Sequence, residues 1–569
     1  MILAGDAFAG RTVRTEIAVI GAGPAGIVLA LEMADRGHDV VLVESGGRRP
    51  NSWTQQLGDA AEWDLDLHAP MALATRRQIG GASVIWGGRC VPFDPVDFDE
   101  RSYAPDVRWP IISEDVLPYF GDACSWLRCG RPVFDLRQLP HLPQQLVPGL
   151  LDDRRVHTSD LERWSLPTDF GAVYRKRLAG EPNLRLLTGL TCVELRTSPD
   201  DRSVQLADCR TRARVPVVLD ATTYVVACGG LESTRLLLAS TNRRGRALGD
   251  HSGHLGRWYM GHVEGVVARV HFSTDPRRTV YDYERDLDGT YVRRRLSLTR
   301  EHQHESALPN VTAWITNPEL ADPSHGSGPL SFVHLSLMSP FGRLFAPEAQ
   351  RRSLTGDHVP GTPYGRVDRG PTSAHIRNIV HDRGNTLRFI SDFGRRRFLT
   401  RGRKAPGFFV RSATNVYPLQ YHGEHLPHWN SRVQLVDSRD HLGMRRLKIS
   451  PSFSQHDVQG VVRAHEEWDG FLRRAGVGHL SYPDPDVAGA VRQRLGAGFH
   501  QAGTARMSTA PADGVVDRDL RVHGIANLFV LSSATFVTSS QANSTFLIIA
   551  LANRLARYLH QQIIGRHQL

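Results

Sequence analysis

Residues 15–47 read TEIAVIGAGPAGIVLALEMADRGHDVVLVESGG, and this stretch decides the fold of the chain. An apolar, β-branched run over 16–20 leads into the turn Gly21-Ala22-Gly23-Pro24-Ala25-Gly26, after which a helix is predicted over 25–36. A second apolar run, 40–43, ends at Glu44 and Ser45. Strand, glycine turn, helix and strand in this order indicate a βαβ unit that binds a dinucleotide pyrophosphate at the helix N-terminus.

Each glycine of the turn has its own predicted task. Gly21 permits the sharp turn, Gly23 lets the backbone approach the pyrophosphate, and Gly26 lets helix and strand pack closely. Glu44 lies about 20 residues beyond the turn, where a carboxylate accepts hydrogen bonds from ribose hydroxyls. Because a carboxylate would repel a 2′-phosphate, NADP is disfavoured, whereas this unit alone does not separate NAD from FAD.

Composition narrows the class of protein. The 569-residue chain carries a formal net charge of +10, but only three of its 69 basic residues are lysines, and we attribute the arginine excess first to codon bias. No nucleic-acid motif accompanies it, so no nucleic-acid partner is predicted. The basic run 395–404 could touch a membrane or a partner, although a solvated helix end or loop is favoured.

Compartment and metal content are predicted from other features. The six cysteines include no C-x-x-C pair, which favours reduced thiols in the cytoplasm and no metal site. We expect no signal peptide, because residues 1–14 lack a long apolar core, and no transmembrane segment.

Two further glycine-rich segments follow the opening unit. Residues 76–88, RRQIGGASVIWGG, form a loop whose backbone can lie against a ligand. A large aromatic side chain such as Trp86 is unusual in a surface turn, so we expect its ring to pack against another group. Residues 222–240 repeat the order strand, glycine turn and helix. We therefore predict an α/β fold whose Rossmann-like domain is assembled from separated segments, 11–90, 181–262 and 496–569.

The rest of the chain has different sequence patterns. Residues 91–180 are interpreted as a connecting helical segment, and 340–404 as loop-rich and basic. Alternating apolar runs within 263–495, with a helix predicted over 455–476, indicate an antiparallel sheet backed by helices. We expect 263–495 to be the substrate-binding domain.

The last seventy residues hold the second informative pattern. His500 opens the segment HQAGTARM, 527–532 is a buried strand, and Asn543 precedes an apolar helix predicted over 546–559. Taken singly, His500 is better explained as a hydrogen-bonded core histidine, and Asn543 as a helix N-cap.

Together these motifs resemble the glucose-methanol-choline (GMC) oxidoreductase family from about residue 15 to the C-terminus. The resemblance rests on the glycine turn, the 80–88 loop, 224–240, 256–260, 430–433, 500–507 and 527–552. It implies FAD as the cofactor, and His500 and Asn543 as the catalytic pair, as in pyranose and cholesterol oxidases. The histidine would take the hydroxyl proton while hydride passes to flavin N5, and the asparagine would hold the forming alkoxide.

The resemblance also implies the cofactor-binding residues. Ser83 and its glycine neighbours would lie along the pyrophosphate and isoalloxazine, Val193 would contact adenine, and Asn543 and Thr545 would lie at the flavin pyrimidine. The predicted set is Gly21, Ala22, Gly23, Pro24, Ala25, Gly26, Glu44, Ser45, Gly80, Gly81, Ser83, Trp86, Gly87, Gly88, Val193, Ala227, Gly229, Ser533, Ala534, Asn543 and Thr545.

Three positions depart from the family pattern. Ile85 stands where pyranose oxidases carry the histidine that bonds to FAD, so a non-covalent flavin is expected. Ser532 replaces a frequent aspartate, which puts a ribityl contact in doubt. Ser544 replaces a frequent proline, so the last helix would begin more loosely.

The predicted reaction is FAD-dependent oxidation of an alcohol to a carbonyl on a sugar, glycoside or aminoglycoside-like polyol. Oxidation of a sterol or other apolar alcohol, a non-redox lyase on the same scaffold, and a flavin-carrying partner protein without turnover are the alternatives. Arg257, Glu424 and His425 are candidates near the site, each favoured as structural. Oxygen or a quinone-like acceptor both remain open, as does the oligomeric state.

Overall fold

The computed structural model describes residues 1–165, 168–344, 346, 348–357, 369–400, 402–496 and 499–567. The strands are β1 (Ile2–Ala4), β2 (Thr12–Ile20), β3 (Val40–Glu44), β4 (Glu62–Trp63), β5 (Arg89–Cys90), β6 (Val156–His157), β7 (Leu161–Trp164), β8 (Leu184–Thr188), β9 (Leu190–Thr197), β10 (Val204–Thr211), β11 (Pro216–Val226), β12 (His262–Phe272), β13 (Glu284–Arg285), β14 (Tyr291–Arg294), β15 (Leu296–Leu298), β16 (Val311–Ile315), β17 (Val416–Glu424), β18 (Arg432–Arg439), β19 (Arg445–Ser450), β20 (Gly478–Ser481) and β21 (Leu528–Val530). The helices are α1 (Pro24–Asp35), α2 (Ser52–Gln56), α3 (Met71–Ala74), α4 (Phe120–Leu127), α5 (Phe170–Val173), α6 (Arg175–Gly180), α7 (Gly230–Ala239), α8 (Arg300–Ser306), α9 (Gly328–Met338), α10 (Glu348–Leu354), α11 (Thr372–His381), α12 (Arg383–Gly394), α13 (Gln455–Arg474), α14 (Val487–Arg492) and α15 (Ser544–His567).

The first sheet gathers strands from distant parts of the chain. Its order is β1-β8-β3-β2-β11-β10-β9, and β21 also pairs with β11. The pairs from β1 through β11, and β11 with β21, are parallel, whereas β10 joins β11 and β9 antiparallel. The apolar runs of β2 and β3 are buried because helices cover parallel sheets. The C-terminal β21 thus lies beside the strand that precedes the second glycine turn.

Helix α1 is buried along most of its length and packs on α15. The apolar sequence of α1 suits a helix enclosed between a sheet and another helix. It ends where Gly37 adopts a φ of +89°, a left-handed conformation that favours glycine. The C-terminal helix therefore closes the domain that the N-terminal residues begin.

The second large sheet is antiparallel, in the order β20-β12-β17-β16-β15-β6. Helix α13 packs on it with an apolar face that includes the fully buried Trp468. Smaller sheets, β13-β14-β7-β5 and β18-β19-β4, flank the two large ones. The predicted fold class is confirmed, whereas the domain boundaries stay predictions.

Two stretches differ from their predicted character. Residues 91–180 contain β6 and β7, which pair with strands of the substrate-side sheets, in addition to short helices. The prediction of a loop-rich 340–404 is wrong for its described part, where α10, α11 and α12 form. Polar, arginine-rich helices with interior glycines lack the clear apolar period by which a helix is recognised in a sequence.

The basic run 395–404 is partly tied to the protein. Arg396 pairs with Asp282 at 3.1 Å, and Arg397 donates to the carbonyl of Ala405. Arg401 lies outside the described residues. None of the helices in the described part of the chain combines the length and apolar character needed to cross a bilayer.

Candidate active site

The glycine turn and the 80–88 loop are built against each other. A Cβ on Gly26 would lie 1.9 Å from the carbonyl oxygen of Gly21, so only glycine lets α1 approach β2 this closely. The Gly80 amide donates to the carbonyl of Ala22 at 2.8 Å, and a Cβ on Gly81 would lie 2.9 Å from the Cα of Gly23. The two predicted glycine motifs therefore form one cradle.

Glu44 links the end of β3 to the same cradle. Its carboxylate accepts hydrogen bonds from the amides of Ala22 at 3.0 Å and Gly46 at 2.8 Å. Burial raises the pKa of Glu44, and these amides with the charge of Arg77 oppose the shift. The carboxylate that was predicted to bind ribose thus also holds the turn in shape.

A cavity of about 1760 Å³ begins at this cradle and continues to the antiparallel sheet. Gly23, Gly87 and Gly229 line it, and a Cβ on any of them would meet no protein atom within 4 Å. Bare backbone facing an open cavity at a helix N-terminus fits a pyrophosphate-containing cofactor.

Most predicted site residues line this cavity. Those that do are Gly21, Gly23, Pro24, Ala25, Glu44, Ser45, Gly81, Ser83, Trp86, Gly87, Ala227, Gly229, His500, Ser533, Asn543 and Thr545. The predicted residues Ala22, Gly26, Gly80, Gly88, Val193 and Ala534 do not. Near Val193, the cavity is lined instead by Leu190, Thr191 and Cys192, which no sequence motif marks.

Two side chains of the loop are hydrogen-bonded within the protein. Ser83 donates its hydroxyl to the carbonyl of Gly80 and accepts from the amide of Phe170 at 3.1 Å. Trp86 donates its indole N–H to the carbonyl of Thr168 at 3.0 Å. Both contacts hold the loop's shape, so Ser83 contributes more through loop geometry than was expected.

The segment after His500 is held between two others. Ala502 exchanges backbone hydrogen bonds with Met260, and the Gly503 amide donates to the carbonyl of Ser533. A Cβ on Gly503, at a φ of +90°, would lie 2.2 Å from the carbonyl of Trp258. This close packing explains why the sequence places glycine three residues after His500.

His500 and Asn543 meet at the end of the cradle. The Asn543 side-chain amide donates to Nε2 of His500 at 2.8 Å, and its Oδ1 accepts from Nη1 of Arg89 at 2.7 Å. An arginine can only donate, so Oδ1 faces Arg89 and the amide NH₂ faces the histidine. Neutral His500 therefore carries its proton on Nδ1 and offers the Nε2 lone pair.

Arg89 is positioned by an aromatic ring and a buried carboxylate. It lies against Trp314 and pairs with the fully buried Glu162 at 2.6 Å, and Arg293 pairs with the other oxygen of Glu162. Arg89 and Glu162 were not predicted. Arg89 follows Gly88 directly, so its position next to the glycine-rich loop could have identified it as a site residue. Nothing in the sequence marks Glu162.

The site keeps His500 neutral. Burial, with a smaller contribution from the charge of Arg89, lowers the pKa of His500 to about 4. Two further buried histidines, His262 and His422, lie beside it with ring centroids 4.8 and 6.0 Å away. An unprotonated imidazole in a cavity wall is the form that a general base requires.

His262 and His422 have fixed tautomers. Their Nδ1 atoms donate to the carbonyls of Ser540 and Gln541, which leaves each Nε2 as an acceptor. One nitrogen of each of these histidines lies within 4.8 Å of one nitrogen of His500. Three imidazoles at this spacing can also bind a metal ion, but the Nε2 lone pair of His500 already accepts from Asn543. The absence of a metal stays a prediction.

The other candidates lie outside the cavity lining. Arg257 covers the Trp429 ring at 4.0 Å, and Glu424 forms two hydrogen bonds of 2.6 Å with buried Arg101. His425 accepts from the Gly261 amide and packs on an aromatic ring. Each has a structural role, as was favoured for all three.

The far part of the cavity is lined by residues of 263–495. It combines carboxylates, an amide and aromatic rings, including Glu264, Glu319, Gln420, Trp314 and Phe332. Residues of α9 and α12, including Phe332, Val333, Phe389 and Phe393, add an apolar part to this lining.

Comparison with known proteins agrees with this architecture. The GMC oxidoreductase family model matches residues 427–552, and a model described as an FAD binding domain matches residues 16–52. Paromamine 6'-oxidase of Streptomyces fradiae is 29% identical over 97% of this chain and 92% of its own length. 2-Methyl-1,2-propanediol dehydrogenase of Mycolicibacterium austroafricanum is 22% identical over 96% of both chains.

A solved structure shares the fold. The FAD-dependent oxidoreductase of Chaetomium thermophilum superposes with a TM-score of 0.53 at 14% identity, covering 98% of this chain and all of the other. The family matches and the cradle indicate an FAD-dependent oxidoreductase. The match over residues 427–552 and the relatives that align along nearly the whole chain support assignment of this chain to the GMC oxidoreductase family.

Proposed function

We propose that this enzyme oxidises a CH–OH group of an aminoglycoside-like polyol, with His500 as the general base and Asn543 as its partner. The observation that carries this proposal is the hydrogen bond from Asn543 to Nε2 of His500, located where the cofactor cradle opens into the substrate side of the cavity. The neutral histidine supplies a lone pair there, and the asparagine keeps it on one nitrogen.

In this mechanism the chain's own residues bind the alcohol and move one proton. The substrate hydroxyl replaces the amide as the donor to Nε2 of His500, which takes the proton as the carbinol carbon loses hydride. The freed NH₂ of Asn543 then donates to the developing alkoxide, and Arg89 supports that charge through the amide. FAD, when bound in the cradle, accepts the hydride.

The substrate class is supported by two observations. Paromamine 6'-oxidase aligns along nearly the whole chain, and the cavity lining includes the polar side chains of Glu264 and Gln420. Contact with a purely apolar alcohol would leave the Glu264 carboxyl group in the cavity wall without a polar partner, which disfavours sterols. We further propose a non-covalent flavin, since Ile85 offers no nucleophile, oxygen or a quinone-like molecule as the electron acceptor, and a cytoplasmic location.

The visible spectrum of the holoenzyme tests the redox proposal. We expect paromamine or a related polyol, added without oxygen, to bleach the bound flavin, and admission of air to show whether oxygen restores the colour. If sterols bleach the flavin and polyols do not, the substrate class is wrong. If no alcohol bleaches it, the redox proposal fails and the lyase alternative gains support.

His500→Ala tests the catalytic assignment. We expect kcat to fall by roughly 10² to 10⁴-fold, the usual size of a general-base contribution, with FAD still bound. His479→Ala, which removes an exposed histidine of β20, is the matched control and should keep wild-type turnover. Equal turnover in His500→Ala and the control would remove His500 from the mechanism.

A further inference from the structure

We propose that Glu264 and His422 form a subsite for a primary ammonium group, so that the substrate is an amino alcohol with its amine near the oxidised carbinol. This inference rests on the proposed function and assigns the part of the cavity wall that selects the substrate. It is carried by the position of Glu264, by the lack of a basic partner for its carboxylate, and by the acceptor character of its neighbour.

The position follows from strand geometry. Glu264 lies two residues after His262 on β12, and alternate residues of a strand share a face. It also pairs across the sheet with His422 of β17. The His262 ring contacts the His500 ring. Glu264 lies about one strand repeat, on the order of 7 Å, along β12 from His262.

The carboxylate has no basic partner in the described part of the chain. The nearest ionisable nitrogen is Nε2 of His422 at 3.8 Å, and no arginine or lysine forms an ion pair with Glu264 there. Other buried acids are matched differently: Glu162 has Arg89 and Arg293, and Glu424 has Arg101. Glu264 lines the cavity, so a cationic group bound there can reach its carboxylate.

The surrounding charges agree with an external cation. Burial raises the pKa of Glu264 to about 7, and among the described residues the charge that opposes this shift is that of Arg89, which shares the single carboxylate of Glu162 with Arg293. Burial, with His262, Arg89 and His500, lowers the pKa of His422 well below its ordinary value, so it is a neutral acceptor. A bound ammonium would favour the ionised form of Glu264.

The two acceptors suit an ammonium better than a hydroxyl. Nδ1 of His422 donates to the carbonyl of Gln541, so its Nε2 can only accept in the neutral form. An ammonium offers three donors and can bind the carboxylate and this nitrogen together, whereas a hydroxyl offers one. The subsite therefore selects an aminosugar over a neutral sugar by a charge-assisted hydrogen bond.

The test compares Glu264→Gln with Glu319→Gln. Glu319 is a second cavity carboxylate, located near the positive charge of Arg494, so it is the matched control. The probes are paromamine and its N-acetylated form, which keeps the hydroxyls and loses the ammonium charges. Binding is measured by calorimetry in the His500→Ala background, so that it does not depend on turnover, and KM and kcat are measured with intact His500.

We expect Glu264→Gln to weaken paromamine binding and raise its KM by about 10 to 100-fold, the size of a hydrogen bond to a charged group. Binding of the N-acetylated probe and kcat should change little. Glu319→Gln should change paromamine binding by less than threefold. Glu264→Asp, which keeps the charge, should recover part of the lost affinity.

Three results would overturn the inference. Equal effects of the two Gln variants would mean that only overall cavity charge matters. A fall in kcat of Glu264→Gln with both probes would make Glu264 a proton-transfer group instead. If the wild-type flavin is bleached by neutral alcohols while paromamine neither bleaches nor binds, the ammonium subsite is wrong although the oxidoreductase function stands.

Discussion

The cofactor cradle and the proposed catalytic centre are built in opposite ways. The cradle is made of backbone, and its 21–26 turn and 80–88 loop fit together through missing side chains. The catalytic centre is made of side chains from four distant segments, represented by Arg89, Glu162, His500 and Asn543. The cradle depends on glycines that can be recognised in the sequence. The side-chain cluster depends on contacts that form only when the chain folds.

The largest effect should come from breaking the cradle. In Gly26→Ala the new Cβ would lie 1.9 Å from the Gly21 carbonyl oxygen, so α1 must separate from β2. We expect little folded protein and no bound flavin. The measurement is the yield of soluble protein together with its flavin absorbance.

Gly23→Ala is the matched variant in the same turn. Its Cβ would meet no protein atom within 4 Å, and its φ of −76° suits alanine. We therefore expect a folded protein with near-normal melting temperature and weakened FAD binding, because the methyl group occupies the space for the pyrophosphate. If both variants behave alike, steric fit does not separate the roles of the two glycines.

The glycine motifs of the cradle could be located in the sequence for a physical reason. Gly21, Gly26 and Glu44 act within a local unit, so their spacing alone fixes the geometry. His500 and Asn543 could be identified only through family resemblance, because their meeting depends on α15 and the 500–507 segment packing together. A local sequence pattern predicts only local geometry, and the pairing of His500 with Asn543 was predicted from the family resemblance.

The residues that were missed share another property. Glu162 and His422 lie on β7 and β17, inside strands whose sequences look like ordinary sheet. Their partners are tens to hundreds of residues away, and a sequence holds no spacing rule for such contacts. Arg89 was the exception, since it directly follows the predicted loop.

The second-largest effect concerns a pair that lies outside the cavity. Glu424 and Arg101 are both fully buried, and Thr538 also donates to the carboxylate. Glu424→Gln would leave the Arg101 charge unpaired, so we expect the free energy of unfolding to fall by about 3–5 kcal/mol. Asp220→Asn, which breaks the exposed Arg14 pair, should cost less than about 1 kcal/mol.

The pH dependence of this pair has a defined sign. Burial alone would raise the pKa of Glu424, but the Arg101 guanidinium outweighs burial and lowers it. The stabilisation is therefore present above the unfolded-state pKa and is lost as pH falls through the lower folded-state pKa. Denaturant unfolding of wild type and Glu424→Gln should converge in acid, and curves that stay parallel would contradict this account.

The smallest of the expected effects concerns Arg89. Arg89→Met removes the donor to Oδ1 of Asn543, so the amide can turn and Nε2 of His500 is no longer held. Loss of a charged hydrogen bond predicts a fall in kcat/KM of about 10 to 100-fold. Arg89→Lys should recover part of it, and the measurement is steady-state turnover with FAD content checked.

The pH profile separates this positioning role from a general loss of structure. The charged or titratable groups that face His500 are Arg89, His262 and His422, and the Arg89 charge lowers the pKa of His500. His500 must be unprotonated to accept a proton, so Arg89→Met should move the acidic limb of kcat/KM to higher pH. Arg293→Met removes the other arginine bound to Glu162 but no contact to Asn543, and should leave the limb in place. If the acidic limb moves equally in both variants, Arg89 acts only through the general positive charge of the cavity. The side-chain amide of Asn543 would then keep its orientation without the hydrogen bond from Arg89.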